Sequence, residues 1–559
     1  MTFRSSTKLS RRSLLQSAAA GALVAAAPRA ALAASHSGAE VNLDVRLALV
    51  DHIPDGTGNV KHGPLLRTYN GKTPGPTMRV APGRNLEVNL TNSLAAQLPE
   101  EVCPPEMNVY HAANTTNLHV HGLHVSPFKA TDGRDSDNIF LNVLPVGQQL
   151  PPYCSMDQIR EGGTRFNFQL PDDHPSGTFW YHAHKHGSTA QQVGNGLVGP
   201  LIVEDKPGVM PSYIANAPED ILLIQLRGLT QDTPAPSDSG GTPQLVLVDP
   251  AGTGGGTRNP TITMAPGEVR RWRIINAAPR ADTFVSLNLT DVDGDEALEV
   301  YQIAFDGITY ERRIEVDTKN NGAPWENPAA LAPGNRTDFM VRVPSDAKAG
   351  NFRLTALQVP GDVLHGVQAM SRAASQQASE EMSLNIVIAG DPVQDEWSED
   401  PTLPGGGPLT APIEENEIVK ERSVDFYLNL DTTPIDHTID GQRFDNEVKQ
   451  TMKLDMAERW TVTNQNTFTH PFHIHVNPFF VTHLNGVDLA ALPDDDPRKP
   501  LMRWQDTMAI PVAAKNGVPP PGSFTMVSRF VKFTGQYVIH CHILEHEDLG
   551  MMQKVEVVA

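Results

Sequence analysis

The chain has 559 residues, too many for one hydrophobic core and suited to three domains of ordinary size. Gly (44) and Pro (46) are abundant and aromatic residues make up only 6%, a mixture that favours short strands and turns over long helices. The formal net charge of −21 disfavours nucleic acid and anionic lipid as partners, and the lack of a strongly apolar run of about 18 residues predicts no membrane span.

The first segment reads as an address. Ser10-Arg11-Arg12-Ser13-Leu14-Leu15 has the twin-arginine pattern, an Ala-rich stretch follows to Ala27, and Ala31-Leu32-Ala33 offers small residues for cleavage. Residues 1–33 are therefore expected to be a Tat signal peptide, with the Tat export machinery as a partner and a periplasmic or secreted location. Losing its Arg4, Lys8, Arg11, Arg12 and Arg29 takes the formal charge from −21 to −26. So acidic a surface is compatible with neutral or cationic small molecules.

Beyond the signal, short β-type runs recur at Leu86–Leu90, Thr178–Tyr181, Leu197–Val203, Ile221–Leu226, Arg271–Ile275, Phe339–Val343, Arg459–Val462 and Gln536–His540. Most are bounded by Gly, Pro, Asn or Asp, which predicts an all-β chain of sandwiches or Greek-key barrels. A weak echo repeats three times: a turn, then a strand ending in Asn, at Ala81–Asn92, Ala265–Asn276 and Met456–Asn464. One such unit per domain is expected. The Pro-, Gly- and acid-rich stretch Asp391–Glu415 looks like a linker, and Gly252–Gly256 is flexible by composition. Leu144–Gly163 reads as an insert. Cys103 and Cys154 lie in Pro-rich loops where an oxidising compartment would let them pair, whereas Cys541 lies in a different setting.

Four clusters carry the chemistry: His119-Val120-His121, His182-Ala183-His184, His473-Ile474-His475 with His470 before it, and His540-Cys541-His542 followed by His546 and Met551. On a strand, residues two apart share a face, so each H-x-H pair presents two imidazoles side by side. Four such strands can turn eight imidazoles into one cavity, a density that suits copper, zinc, iron or nickel. Cys541 leaves its strand on the other face and points to a second site. A thiolate, two imidazoles and a weak Met thioether form the ligand set of a blue-copper electron-transfer centre. Zinc has no need of the Met, and an iron–sulfur cluster needs more Cys.

The four clusters, in this order and spacing, resemble the multicopper oxidase family, and the last of them looks much like bacterial laccase-type enzymes. The resemblance covers essentially the whole chain after the signal. It implies three cupredoxin-like Greek-key β-sandwich domains at 41–207, 208–395 and 416–559, with 396–415 as linker. It also implies four copper ions. His470, Cys541, His546 and Met551 would hold the type 1 copper, and His119 and His473 the type 2 copper. His121, His182 and His542 would hold one type 3 copper, and His184, His475 and His540 the other. Glu547, beside His546, resembles a proton-relaying acid. A second acid is expected after the first cluster, where Asp132 and Asp137 both qualify and Asp137 is preferred. His124 and His186 exceed the ligand count and read as supporting residues.

The implied activity is one-electron oxidation of a phenolic or similar small reducing substrate, coupled to four-electron reduction of dioxygen to water. The alternative is a metallo-oxidase for Cu(I), Fe(II) or Mn(II), although no Met-rich insert of the cuprous-oxidase sort is present. A non-enzymatic relative of the fold would lack the ligands, and a two-domain nitrite reductase would be shorter.

Overall fold

The structure, a computed structural model, describes residues 39–50, 53–54, 60–61, 63–227, 232, 241–292, 298–316, 330–358 and 382–559; the expected signal at 1–33 lies outside them. Strands dominate. The α-helices among these residues are short: Pro99–Val102, Thr189–Asn195, Ser212–Ala215 and Leu544–Asp548. Among the described residues no helix is long and apolar enough to cross a membrane.

The strands fall into three consecutive blocks, and no strand of one block joins a sheet of another among the described residues. In the first, a sheet ordered Gly163–Gln169, Asn85–Asn92, Ala39–Leu49 and Leu65–Tyr69 accompanies a sheet ordered Met78–Val80, Val198–Val203, Gly177–His182 and His119–His121. The second block runs from Glu219–Arg227 to Ser383–Ile388, and the third from Ile418–Asn429 to Met552–Val558. Alternation builds each sandwich: in Asn85–Asn92, Leu86, Val88 and Leu90 turn into the core while Glu87 and Asn89 are half-buried on the other face.

The threefold echo has a physical basis. Asn85–Asn92, Val269–Asn276 and Met456–Asn464 each pair parallel with the leading strand of their block, Ala39–Leu49, Glu219–Arg227 and Ile418–Asn429. The closing Asn is buried in all three. Its Nδ2 donates to two backbone carbonyls: Asn114 and Val143 from Asn92, Thr283 and Leu331 from Asn276, Phe468 and Pro511 from Asn464. Its Oδ1 accepts the backbone N–H two residues on. Asn alone offers two donors and an acceptor on so short a stem, so each block uses it to tie two loops to the end of a central strand.

Some strands are buried on both faces because the sandwiches pack on one another. Phe179 and Tyr181 of Gly177–His182 face the first core, while Trp180 on the opposite face joins Val198, Ile202, Leu223, Ile275 and Leu544 in a layer shared by all three blocks. A buried ionic network seals the first block to the second: Asp338 accepts from Arg271 and Arg273, and Thr178 stands between Arg273 and Asp338. These charges explain why the strand expected at Phe339–Val343 begins earlier, as Arg336–Arg342. Arg336 and Asp338 are both buried in ion pairs.

Two loop stretches are held by packing. The stretch 396–415 lies on the second block, where Trp397 packs against Tyr213 and Tyr301 and the Arg313 guanidinium sits 4.3 Å over its ring. The Gly-rich run 252–256 is held in place: Gly255 N–H donates to Pro74 O, and Thr77 N–H to Gly252 O. Its glycines admit close approach to the first block. Cys103 and Cys154 form a disulfide, and Cys541 is free and buried.

Replacing Asn92 by Leu, similar in size but without the amide, is expected to take one donor from Asn114 O and from Val143 O and the acceptor from the Leu94 N–H, and to cost about 1–3 kcal/mol. Calorimetry of the metal-free protein checks this; an unchanged unfolding temperature would mean that the amide does not tie the loops.

Candidate metal centre

Strand pairing brings the histidines together. His119–His121 pairs antiparallel with Gly177–His182, which sets His119 opposite His182. Pro471–Ile474 pairs antiparallel with Gly535–Cys541, which sets His473 opposite His540 and Phe472 opposite Cys541. The two strand pairs, from the first and third blocks, face each other. His119 stacks on His475, and His121 on His473, with ring centroids 3.9 Å apart in both cases. His182, His184, His540 and His542 complete the ring set, and every one of these imidazoles is at most 1% exposed.

Each ring has two nitrogens, and the surroundings commit one of them in most cases. Nδ1 of His119 donates to Asp137 at 2.9 Å, that of His182 to Ala183 O at 2.9 Å, that of His473 to Asp506 O at 2.9 Å and that of His540 to Cys541 O at 3.0 Å. The Nε2 atoms of His119, His182 and His473 are buried without a partner. His540 Nε2 lies 3.3 Å from both His184 Nε2 and His475 Nε2. His121 is reversed: its Nε2 faces Asp506 at 3.3 Å and its Nδ1 faces His542 Nε2 at 3.3 Å.

Burial, reinforced by neighbouring imidazoles, holds His119, His184, His475, His540 and His542 well below the ordinary imidazole range. Burial alone does most of this for His182, lowered to about 3. At neutral pH these rings are neutral, with lone pairs converging in a dry space. Protons do not occupy those lone pairs, and water has little access to them. Such a donor set fits metal cations.

A second donor set lies on the other face of the Gly535–Cys541 strand. Cys541 Sγ is 3.6 Å from His470 Nδ1 and 3.6 Å from His546 Nδ1, and the two nitrogens are 3.3 Å apart. These edges match donors sharing one ion through bonds of about 2.0–2.3 Å. His470 Nε2 donates to Asn466 Oδ1, which leaves Nδ1 as the free donor. Burial raises the thiol of Cys541, so a metal has to displace its proton. Met551 is buried in the same core cluster. Its carbonyl accepts the Cys541 N–H and its N–H donates to His546 O, which folds the turn back over the site. Of the three close donors only His546 is not fully buried.

The two acids read from the sequence both reach the imidazole cluster. Asp137 is buried against His119 and accepts the Val120 N–H; burial pushes its carboxyl up to about 8. Asp132, the other candidate, pairs at the surface with Arg134 and Asn167. Glu547 Oε1 accepts from Thr189 Oγ1 at 3.0 Å and lies 3.4 Å from His184 Nδ1, while Oε2 lies 3.6 Å from His540 Nδ1. Burial and the adjacent Asp548 hold it well above the usual carboxyl range. Asp548 in turn accepts the N–H groups of Gly187, Thr189 and Ala190. His124 and His186 stay outside the ring set, bound to Val476 O and Asn108 Oδ1. Four contributors lack a motif and escaped the sequence reading: Asp506, Arg336, Thr189, and His437, whose ring lies 5.3 Å from that of His546.

Family models described as multicopper oxidase match residues 107–208 and 420–559. A multicopper oxidase of Staphylococcus haemolyticus is 24% identical over 88% of this chain and 83% of its own length, and a laccase of Bacillus subtilis is 24% identical over 88% and 89%. Among solved structures, a laccase of Pediococcus acidilactici aligns with TM-score 0.62 at 20% identity, over 93% of this chain and 90% of that one. A Campylobacter jejuni multicopper oxidase described as a metallo-oxidase aligns with TM-score 0.59 at 21% identity, over 93% and 91%.

Cobalt(II) titrated into the metal-free protein is expected to produce an intense sulfur-to-metal absorption that Cys541→Ser lacks. The same band in the variant would remove Cys541 from the donor set.

Proposed function

Because the chain belongs to the multicopper oxidase family, whose members are oxidoreductases that use dioxygen, we propose that it oxidises a phenolic or similar small reducing substrate one electron at a time and reduces dioxygen to water. The observation that carries this reading is the Cys541–His470–His546 triangle joined by single peptide bonds to His540 and His542 of the imidazole cluster.

The reading takes four copper ions. His470, Cys541 and His546 would hold the type 1 ion, with Met551 as a weak fourth donor. His119 and His473, each with an unpartnered Nε2, hold the type 2 ion. His184, His475 and His540, with His540 Nε2 3.3 Å from the Nε2 of each of the other two, would hold one type 3 ion; His121, His182 and His542 would hold the other. Copper bound there supplies the redox chemistry, single-electron uptake at the sulfur site and four-electron reduction of dioxygen at the imidazole cluster.

The chain's own residues do the rest. His546 is the donor that reaches toward solvent, and a reductant meets the site there. The buried walls around the imidazoles keep bulk water from the reacting oxygen. Four protons must arrive at one dry place, and Glu547 and Asp137 are the acids that stand there. Glu547 Oε2 is buried and has no partner of its own, so it is the oxygen free to hand a proton inward. The twin-arginine pattern at 10–15 supports export by the Tat machinery to the periplasm or beyond.

Metal analysis of the copper-loaded protein is expected to give four coppers and a blue absorption, with phenols preferred in a steady-state comparison with Cu(I), Fe(II) and Mn(II). One copper, or zinc in its place, would end the oxidase reading, and a higher kcat/KM for a metal ion would reassign the substrate. Glu547→Gln keeps size and hydrogen bonding but delivers no proton. It is expected to leave reduction by substrate nearly intact and to slow reoxidation by dioxygen by on the order of 10²-fold. Stopped-flow mixing of the reduced variant with dioxygen measures this, and wild-type reoxidation would leave Glu547 without the relay role.

A further inference from the structure

The second block contributes no imidazole or thiol to either donor set, yet one of its side chains reaches the imidazole cluster. We propose that Arg336 is a positioning residue for that cluster, acting through Asp506 to fix which nitrogen His121 presents. The inference rests on the copper assignment above.

The Arg336 side chain is fully buried. Its guanidinium forms a two-pronged pair with the Asp506 carboxylate, Nη1 to Oδ1 at 2.8 Å and Nη2 to Oδ2 at 2.7 Å, and it also donates to Thr178 O and Gly334 O. Two turns of the second block grip the backbone behind Asp506: Asp306 accepts the N–H groups of Asp506 and Thr507, and Asn335 donates to Asp306 and to Thr507 O. Asp506 is thus held by backbone and side chain at once.

Asp506 then touches two cluster rings. Its backbone carbonyl accepts from His473 Nδ1 at 2.9 Å, and its Oδ1 lies 3.3 Å from His121 Nε2. With Asp506 Oδ1 against its Nε2, His121 turns Nδ1 to the cluster, 3.3 Å from His542 Nε2. This is opposite to His119, His182, His473 and His540, whose Nδ1 atoms face a carboxylate or backbone carbonyl. A carboxylate so deeply buried needs a counter-charge to stay ionised and aimed. Arg336 supplies it with a planar fork, which a Lys ammonium cannot reproduce.

The chain leaves room for this contact. Gly122, directly after His121, has φ +85°, and a Cβ there would lie 2.3 Å from Arg336 Nη2 and 2.6 Å from Asp506 Oδ2. Gly334 has φ +95°, and a Cβ on it would press to 3.0 Å on the His542 ring. Two glycines with positive φ therefore flank the path of the guanidinium.

The test compares wild type, Arg336→Lys, Arg336→Met and Asp506→Asn after copper loading. It follows copper per chain, the sulfur-to-copper absorption of the Cys541 site, the electron paramagnetic resonance of the cluster copper, and the unfolding temperature. In the Lys and Asn variants the Cys541 absorption is expected to stay, while cluster copper is lost or its resonance changes and turnover falls about 10–100-fold. Unchanged cluster copper and resonance in Arg336→Lys and Asp506→Asn would overturn the proposal and leave Arg336 as a strut between blocks. Should Arg336→Met fail to fold, the isosteric Asp506→Asn still decides. A wild type without cluster copper would instead overturn the copper assignment itself, and this inference with it.

Discussion

Eight imidazoles packed into a dry space are the constraint around which the molecule is arranged. Lone pairs at about van der Waals distance repel unless a cation lies among them, and burial disfavours protons on rings such as His540 and His542. The pocket is therefore built for metal before any metal arrives. Holding the rings in that unfavourable arrangement requires rigid walls. The walls are strands from two separate sandwiches, each presenting its histidines on one face. Neither sandwich alone can close the pocket, so the packing of the first block against the third creates the site.

The second block enforces that packing. Trp180, Ile202, Leu223, Ile275 and Leu544 form one apolar layer drawn from all three blocks, and Asp338 binds two arginines beneath it. Buried ion pairs are weak sources of stability but strict about geometry. Their placement between blocks, with Arg336 carried on to Asp506, suits a structure whose function depends on the relative position of its sandwiches. The repeated Asn92, Asn276 and Asn464 do similar work within each block by closing loops that no strand ladder satisfies.

The strand Gly535–Cys541 with the turn after it joins the two donor sets. Alternation sends His540 and His542 to one face and Cys541 to the other, so one peptide bond separates a thiol in one set from an imidazole in the other. The following turn carries His546 and Glu547 in adjacent positions. The first reaches outward beside Cys541, and the second turns inward to His184 and His540. One turn of chain thus serves both donor sets while facing opposite ways.

Much of this was legible in the sequence because strand geometry is local. Four H-x-H pairs imply imidazoles on common faces, and a Cys between two His implies a second site behind them. The turn-strand-Asn echo announced three similar units. Asp137 was preferred over Asp132 on pattern, and the structure brings Asp137, not Asp132, to His119. Most strands run beyond the limits read from the sequence, because a ladder continues through polar residues such as Arg336 and Asp338 once their partners bury them. Asp506, Arg336 and Thr189 carry no motif, since a carboxylate or guanidinium acquires its role from whatever folds against it. The sequence by itself determined the donor types, their faces and their order along the chain, because side-chain alternation needs no distant contact. Only the tertiary structure decided which rings face one another, which ring nitrogens meet a carboxylate or carbonyl and which charges hold them, because those depend on sandwiches brought together from opposite ends of the chain.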